Sequence, residues 1–304
     1  MVQPKLIIHG GAGSSLQDKG GLESVREDLR GIVYQIYARL QAGEQAISAA
    51  VFGCRLLEDR PRFNAGTGSV LQSDGQIRMS AALMDGTRQR LSGVINVSRL
   101  KNPIDLAEFL QSEDDRVLSD VGAAELAREL HIPIYNPMTD LRLNEWVAER
   151  AGNFERTMAN VVAEPGRGTI GVVVLDQQGQ LAVATSTGGK GFERIGRVSD
   201  SAMPAGNYAN EFAAVSCTGI GEDIIDECLA ARIVVRVTDG MQLSGAFQKS
   251  FQEAASRNRD FGAIGIDRTG NLAWGKTCDV LLAAYHDGSK IDDTLELPGG
   301  VQTT

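Results

Sequence analysis

Apolar residues recur at helical spacing through Leu22, Val25, Leu29, Ile32, Val33, Ile36 and Leu40, which predicts a first amphipathic helix. Ile47, Ala50, Val51, Cys54 and Leu57 predict a second, over about residues 45–58, ended by Pro61, Gly66 and Gly68 of PRFNAGTGSV. Before them, LIIHGGAG reads as a short strand that enters a tight glycine loop. In GSVLQSDGQIRMSAALMDG, alternation on either side of Asp74-Gly75 predicts a hairpin. Helical pieces follow over about residues 103–151, then a polar linker over 153–167. The second half contains an echo, TIGVVVLDQQGQLAVATSTGG and FGAIGIDRTGNLAWGKTCDV. Asp176, Gly179, Leu181 and Ala182 match Asp267, Gly270, Leu272 and Ala273, so each stretch reads as a hairpin with one turn chemistry. Helices over about 222–237 and 243–257 separate them. No β-α-β alternation of a doubly wound fold is visible, and layered α and β structure is expected.

The 304 residues suit one large domain or two ordinary ones. A net charge of −9 with no basic patch argues against a nucleic-acid surface. The longest apolar runs fall far short of the roughly 20 residues of a membrane span. The start, MVQPKLIIHGGAG, shows no charged segment followed by a long apolar one, so a cytoplasmic location is expected. Cys54, Cys217, Cys228 and Cys278 are scattered and read as reduced core thiols.

Three histidines exist, His9, His131 and His286, and no G-x-S-x-G elbow accompanies them. His131 and His286 read as ordinary surface or core side chains; His9 opens HGGAG, where the glycines most simply mean a tight loop. Zinc-helix and EF-hand patterns are absent, and Gly10, Gly11 and Gly13 miss the dinucleotide spacing. A base other than histidine is an α-amine, with a pKa of about 7.7 to 8. Thr169, at the start of a β-like run and directly after Gly168, would carry nucleophile and base together if the chain were cut between them. Gly168 permits the backbone strain such a cut needs. Taken alone, Gly-Thr at a strand start is plain turn chemistry. The surroundings add to it. A hairpin returns Thr187 of TSTGG beside Thr169. Arg197 and Asp200 lie three apart, on one face of a helical segment, and suit the carboxylate and ammonium of an amino acid; a surface salt bridge explains the spacing equally well. CTGIGE offers Thr218, Gly219 and Gly221 as oxyanion donors, or simply as a glycine-rich helix entry.

HGGAG, LLEDRPRFNAGTGS, MSAALMDG, TSTGG, GRVSDS and VSCTGIGE, in this order, resemble the plant-type L-asparaginase / isoaspartyl peptidase family of N-terminal-nucleophile hydrolases over most of the chain. The resemblance implies an α+β, four-layer αββα sandwich over residues 1–304, cut by its own chemistry at Gly168-Thr169. An α subunit (1–168) and a β subunit (169–304) would stay together, as a dimer of such heterodimers. Thr169 would attack the side-chain amide, tuned by Thr187, with Thr218 and Gly219 lining the oxyanion hole and Asn64 orienting groups nearby. Arg197 would hold the α-carboxylate, and Asp200 with the Gly221 carbonyl the α-ammonium. Backbone carbonyls of Leu57, Glu58, Arg60, Phe63, Ala65 and Thr67 would wrap a structural Na+, with no cofactor for catalysis. Expected substrates are small molecules, β-aspartyl dipeptides and L-asparagine. Glycosylasparaginase is the alternative activity, and an amino-acid-binding protein without turnover the alternative class. Departures from the family pattern, AMPAGNYA after Ser201 and GKGFERI before Gly196, fall near the expected clamp and bear on the leaving group.

Overall fold

A computed structural model describes residues 2–13, 21–152, 154, 168–297 and 299–303, so the linker expected at 153–167 lies, apart from residue 154, outside the described residues. The first half contributes β1 (Lys5–Gly13), α1 (Leu22–Gln41), α2 (Ala46–Glu58), β2 (Met79–Asp85), β3 (Arg90–Val97), α3 (Ile104–Leu110), β4 (Val117–Ser119), α4 (Asp120–Glu129) and α5 (Asp140–Ala151). The second half contributes β5 (Ile170–Leu175), β6 (Leu181–Thr187), β7 (Asn207–Ala209), β8 (Ala213–Gly219), α6 (Gly221–Glu227), α7 (Leu229–Thr238), α8 (Leu243–Ser256), β9 (Phe261–Asp267), β10 (Leu272–Lys276), β11 (Val280–His286), β12 (Ile291–Asp293) and β13 (Gly300–Thr303). An eight-stranded sheet has the order β12-β11-β1-β5-β6-β2-β3-β4, and a five-stranded sheet the order β13-β10-β9-β8-β7. Apart from the parallel β3–β4 pair, neighbouring strands run antiparallel.

Both faces of the central strands are buried, which explains why IGVVVL reads as a continuous apolar run. Successive side chains of a strand point to opposite faces. Val172 and Val174 accordingly join an apolar cluster with Leu29 and Ile36 of α1 and Ala50 of α2. Val173 and Leu175 pack instead with Ile264, Ile266 and Trp274 of the smaller sheet. Val215 and Ala263 of that sheet meet Ile233 and Val234 of α7 and Phe247 of α8. A Val or Ile held at 0% exposure contributes roughly 1.5–3 kcal/mol.

Four expectations need correction. The hairpin around Asp74-Gly75 is a local turn, closed by the Gln72 N–H on the Gln76 carbonyl at 2.9 Å, with no ladder beside it. Its backbone is claimed from outside: Trp146 Nε1 donates to the Gln72 carbonyl and the Ser73 N–H to the Glu193 carbonyl. The paired strands lie one step later, as β2 and β3. The glycines of HGGAG stay within β1, whose pairing with β11 is irregular between His9 and Ala12. The helix expected over 222–237 is two, α6 and α7, parted at Cys228. Finally, Cys54 and Cys217 are core thiols, but Cys228 is exposed and Cys278 half-buried.

Candidate active site

The β5–β6 hairpin places the two central hydroxyls. Asp176 Oδ1 accepts the N–H groups of Gln178 and Gln180, both at 2.9 Å, and Gly179 takes φ 80°. A positive φ suits glycine, which has no Cβ to clash. The hairpin brings Ile170 opposite Ser186. One residue earlier, the Thr169 hydroxyl donates to Thr187 Oγ1 at 3.2 Å, and Thr187 Oγ1 also accepts the Gly189 N–H at 3.1 Å. Both threonines are buried. The echo hairpin is turned alike by Asp267, whose Oδ1 takes the Thr269 and Asn271 N–H groups.

Gly168 is needed for space. It does not have a positive φ, but a Cβ on it would overlap Gly11 Cα. Gly11 in turn has φ 120°, and a Cβ there would sit 2.5 Å from Gly168 Cα. The glycines of β1 therefore let its backbone lie against the residue before Thr169. Asn64 ties the loop after α2 to the end of β6. Its Nδ2 donates to the Gly189 carbonyl at 2.6 Å, its Oδ1 accepts the Val70 N–H at 3.0 Å, and its carbonyl accepts the Gly188 N–H at 2.9 Å.

β8 supplies Thr218 and Gly219, then hands over to α6 at Gly221. Thr218 is fully buried, and its hydroxyl has no hydrogen-bond partner. A Cβ on Gly221 would lie 2.6 Å from Arg197 Nη2 and 2.8 Å from Asp200 Oδ1, so both charged groups converge on this glycine. They share no helix: a three-residue 3₁₀ turn starts at Asp200, after Arg197. Nor do they form the surface salt bridge that spacing allowed. The Arg197 fork is held by Glu222, with Nε at 3.0 Å and Nη2 at 2.9 Å, and Lys190 adds a longer contact at 3.3 Å. Partial burial pushes the Glu222 pKa up, but the hydrogen bonds and charge of Arg197 prevail and bring it to about 2. Asp200 is fully buried, which raises its pKa to about 7 against the pull of Arg197, and its Oδ2 has no hydrogen-bond partner. A buried, unpaired carboxylate oxygen beside an arginine suits an incoming ammonium.

Sequence reasoning missed Glu222, although it closes the CTGIGE motif, and passed over His9 and Ser216. His9 Nε2 lies 2.8 Å from Ser216 Oγ in the buried space between the sheets. The signal for His9 was its position at the start of HGGAG; Ser216 had none beyond lying two residues before Thr218.

A buried threonine hydroxyl at a strand start, held by a second threonine, with a carboxylate and a guanidinium near a helix entry, is the arrangement of a hydrolase that works through a hydroxyl. The chain belongs to the asparaginase family, whose model matches residues 2–296. It is 69% identical over 309 residues to an isoaspartyl peptidase/L-asparaginase of Nostoc sp. (strain PCC 7120), covering 99% of this chain and 97% of that one. It is 64% identical to the isoaspartyl peptidase/L-asparaginase of Synechocystis sp., covering 98% and 92%. A plant-type L-asparaginase of Pyrococcus horikoshii is 34% identical, covering 92% and 95%.

Proposed function

We propose that this chain is a self-processing threonine hydrolase that cleaves β-aspartyl dipeptides and L-asparagine, releasing L-aspartate. The observation that carries the reading is the buried Thr169–Thr187 hydroxyl pair directly after the close-packed Gly168. In this reading the two sheets and the helices outside them form the four-layer αββα sandwich. The Thr169 hydroxyl attacks the Gly168 carbonyl, the acyl group moves from nitrogen to oxygen, and water hydrolyses the ester. Residues 1–168 and 169–304 remain associated, and two such pairs assemble. The α-amine freed on Thr169 then takes the proton of its own hydroxyl, at a pKa of about 8.

Substrate is held by its two backbone charges. Arg197 takes the α-carboxylate through the fork that now binds Glu222; the free Asp200 Oδ2 and the Gly221 carbonyl take the α-ammonium. Thr169 Oγ1 attacks the side-chain carbonyl while Thr187 orients it. The unpartnered Thr218 hydroxyl and the Gly219 N–H face the charge that develops on the carbonyl oxygen. The leaving amine departs, and water releases aspartate from the ester on Thr169. None of these steps calls on a cofactor.

The α2 loop is the candidate site for a structural Na+. The carbonyls of Glu58 and Arg60 each accept one backbone N–H, from Thr67 and Phe63, which leaves each a second lone pair, while the Leu57 carbonyl takes the N–H groups of Asp59 and Arg60. With Phe63, Ala65 and Thr67 they make a neutral oxygen set fitting a monovalent cation, away from the reacting atoms. The family relatives and the net charge of −9 support small-molecule substrates over nucleic acid, and among the described residues no helix is long and apolar enough to cross a membrane. We place the protein in the cytoplasm.

Mass spectrometry of the purified protein should show two fragments meeting between Gly168 and Thr169. Thr169→Ala should give one intact chain that releases no aspartate. An intact wild-type chain with full activity, or a Thr169→Ala chain still cut at this bond, overturns the reading. Activity on glycosylasparagine in preference to β-aspartyl dipeptides would reassign the substrate and leave the nucleophile in place.

A further inference from the structure

The nucleophile and the oxyanion donors of the proposed reaction belong to different sheets: Thr169 and Thr187 lead and end strands of the large sheet, Thr218 and Gly219 end β8 of the small one. Their separation depends on what holds the sheets together locally. Two residues further into each strand, on the same faces, stand Gly171, Thr185 and Ser216. In the large sheet His9, Gly171 and Thr185 are register partners in a row; in the small sheet Asn207 pairs with Ser216. These two rows meet in hydrogen bonds. His9 Nε2 lies 2.8 Å from Ser216 Oγ, Ser216 Oγ 2.8 Å from Thr185 Oγ1, and Thr185 Oγ1 donates to Asn207 Oδ1 at 2.8 Å.

All four side chains are buried, His9, Thr185, Ser216 and Asn207 at 0% exposure, among apolar neighbours such as Val173, Val183 and Ile264. Gly171 makes the arrangement possible. A Cβ there would overlap both Ser216 Oγ and His9 Nε2, so the missing side chain is the space in which they bond. Each hydroxyl has one proton to give. Thr185 gives its own to Asn207, so Ser216 gives to Thr185, and Nε2–H of His9 gives to Ser216. Burial pushes the His9 pKa down to about 3, although the nearby Thr169 carbonyl acts the other way. A neutral imidazole with a fixed proton is a directional link and no acid–base group at working pH.

We propose that His9, Ser216, Thr185 and Asn207 form a hydrogen-bonded strut between the sheets that sets the distance from the Thr169 hydroxyl to the Thr218–Gly219 donors. The four are positioning residues: none touches substrate, and they act through the strands they fix. The strut rests on Thr169 being the nucleophile. The Arg197 and Asp200 clamp lies outside the row, so loosening the strut disturbs the transition state more than substrate binding. Displacement of a reacting group by about 1 Å costs about 10²-fold in rate.

The test is steady-state hydrolysis of a β-aspartyl dipeptide by the processed enzyme, with kcat expressed per free Thr169 N-terminus. Thr185→Val keeps shape and removes the hydroxyl; kcat should fall about 10- to 100-fold with KM within about twofold of wild type. Thr185→Ser restores the hydroxyl and should return kcat to within about threefold of wild type. Ser216→Ala, the smallest change, should reproduce the kcat loss, and the double variant should lose little more than the worse single one, because both break one chain. A folded Thr185→Val chain that stays uncut also supports the strut, since cutting uses the same hydroxyl. Wild-type kcat in both Thr185→Val and Ser216→Ala overturns it, as does a rise in KM at constant kcat, or losses that multiply in the double variant. Thr169→Ala run alongside separates the two ideas. If it turns over substrate, the nucleophile assignment itself fails; if it is dead while Thr185→Val is normal, only the strut fails.

Discussion

Asp200 joins two properties that seldom coincide: full burial and a carboxylate oxygen with no partner. Burial raises its pKa to about 7, with Arg197 opposing and Glu222 adding to the rise. In the proposed clamp the α-ammonium binds the ionised form, which dominates above pH 7 and is lost as pH falls. KM for a β-aspartyl dipeptide should therefore rise by up to about tenfold per pH unit below 7. Titration of the Thr169 α-amine would act on kcat instead. Steady-state kinetics from pH 5.5 to 8.5 distinguish the two, and a flat KM across that range removes Asp200 from the ammonium site. At this scale the sequence showed which residues carry suitable chemistry. It could not show that Asp200 is buried or that Glu222 occupies the Arg197 fork, because both depend on α6 and the 3₁₀ turn meeting across Gly221.

Among the elements, the α6–α7 junction deceived the periodic pattern. Apolar spacing runs on from Ile224 through Ile233 and Val234, since a single bent residue barely shifts the face that side chains cover. Cys228 takes φ 46° and ψ 46°, ending α6 and starting α7 at once. Left-handed backbone costs a non-glycine residue roughly 1–2 kcal/mol, and glycine repays part of that as chain entropy. Because Cys228 is exposed, Cys228→Gly loses little packing. It should stabilise the protein by up to about 1 kcal/mol, read from urea unfolding. Lower stability would mean that the thiol has a packing role. The β5–β6 and β9–β10 hairpins, by contrast, were legible residue by residue, because an Asp that caps its own turn is local chemistry.

For the whole molecule, Glu58 is the buried charge problem. It closes α2, its Oε1 accepts the Ile104 N–H at 3.3 Å, and its Oε2 has no hydrogen bond of good geometry. Burial pushes its pKa up to about 8, against hydrogen bonds from Ser186 and Asn102 and with help from the charge of Asp105. The folded protein thus holds a proton that the unfolded chain releases near pH 4.3. Glu58 contributes its full stability below that pH and loses it as pH rises to about 8. Glu58→Gln, which stays neutral, should flatten the fall in melting temperature between pH 5 and 8. An equal fall in both proteins contradicts a neutral Glu58.

The sequence alone determined the first strand, the first two helices, the Asp-turned hairpins and the succession of Thr169, Thr187, Arg197, Asp200 and Thr218, because hydrophobic period, turn chemistry and motif order are properties of neighbours along the chain. Only the tertiary structure decided that Gly168 needs space against Gly11, that Gly171 opens a gap for His9 and Ser216, and that Glu222 meets Arg197. Each of these joins residues at least 25 positions apart, such as Arg197 and Glu222. A glycine's permissiveness reads the same in sequence whether it serves φ or proximity; only the facing backbone shows which one is used.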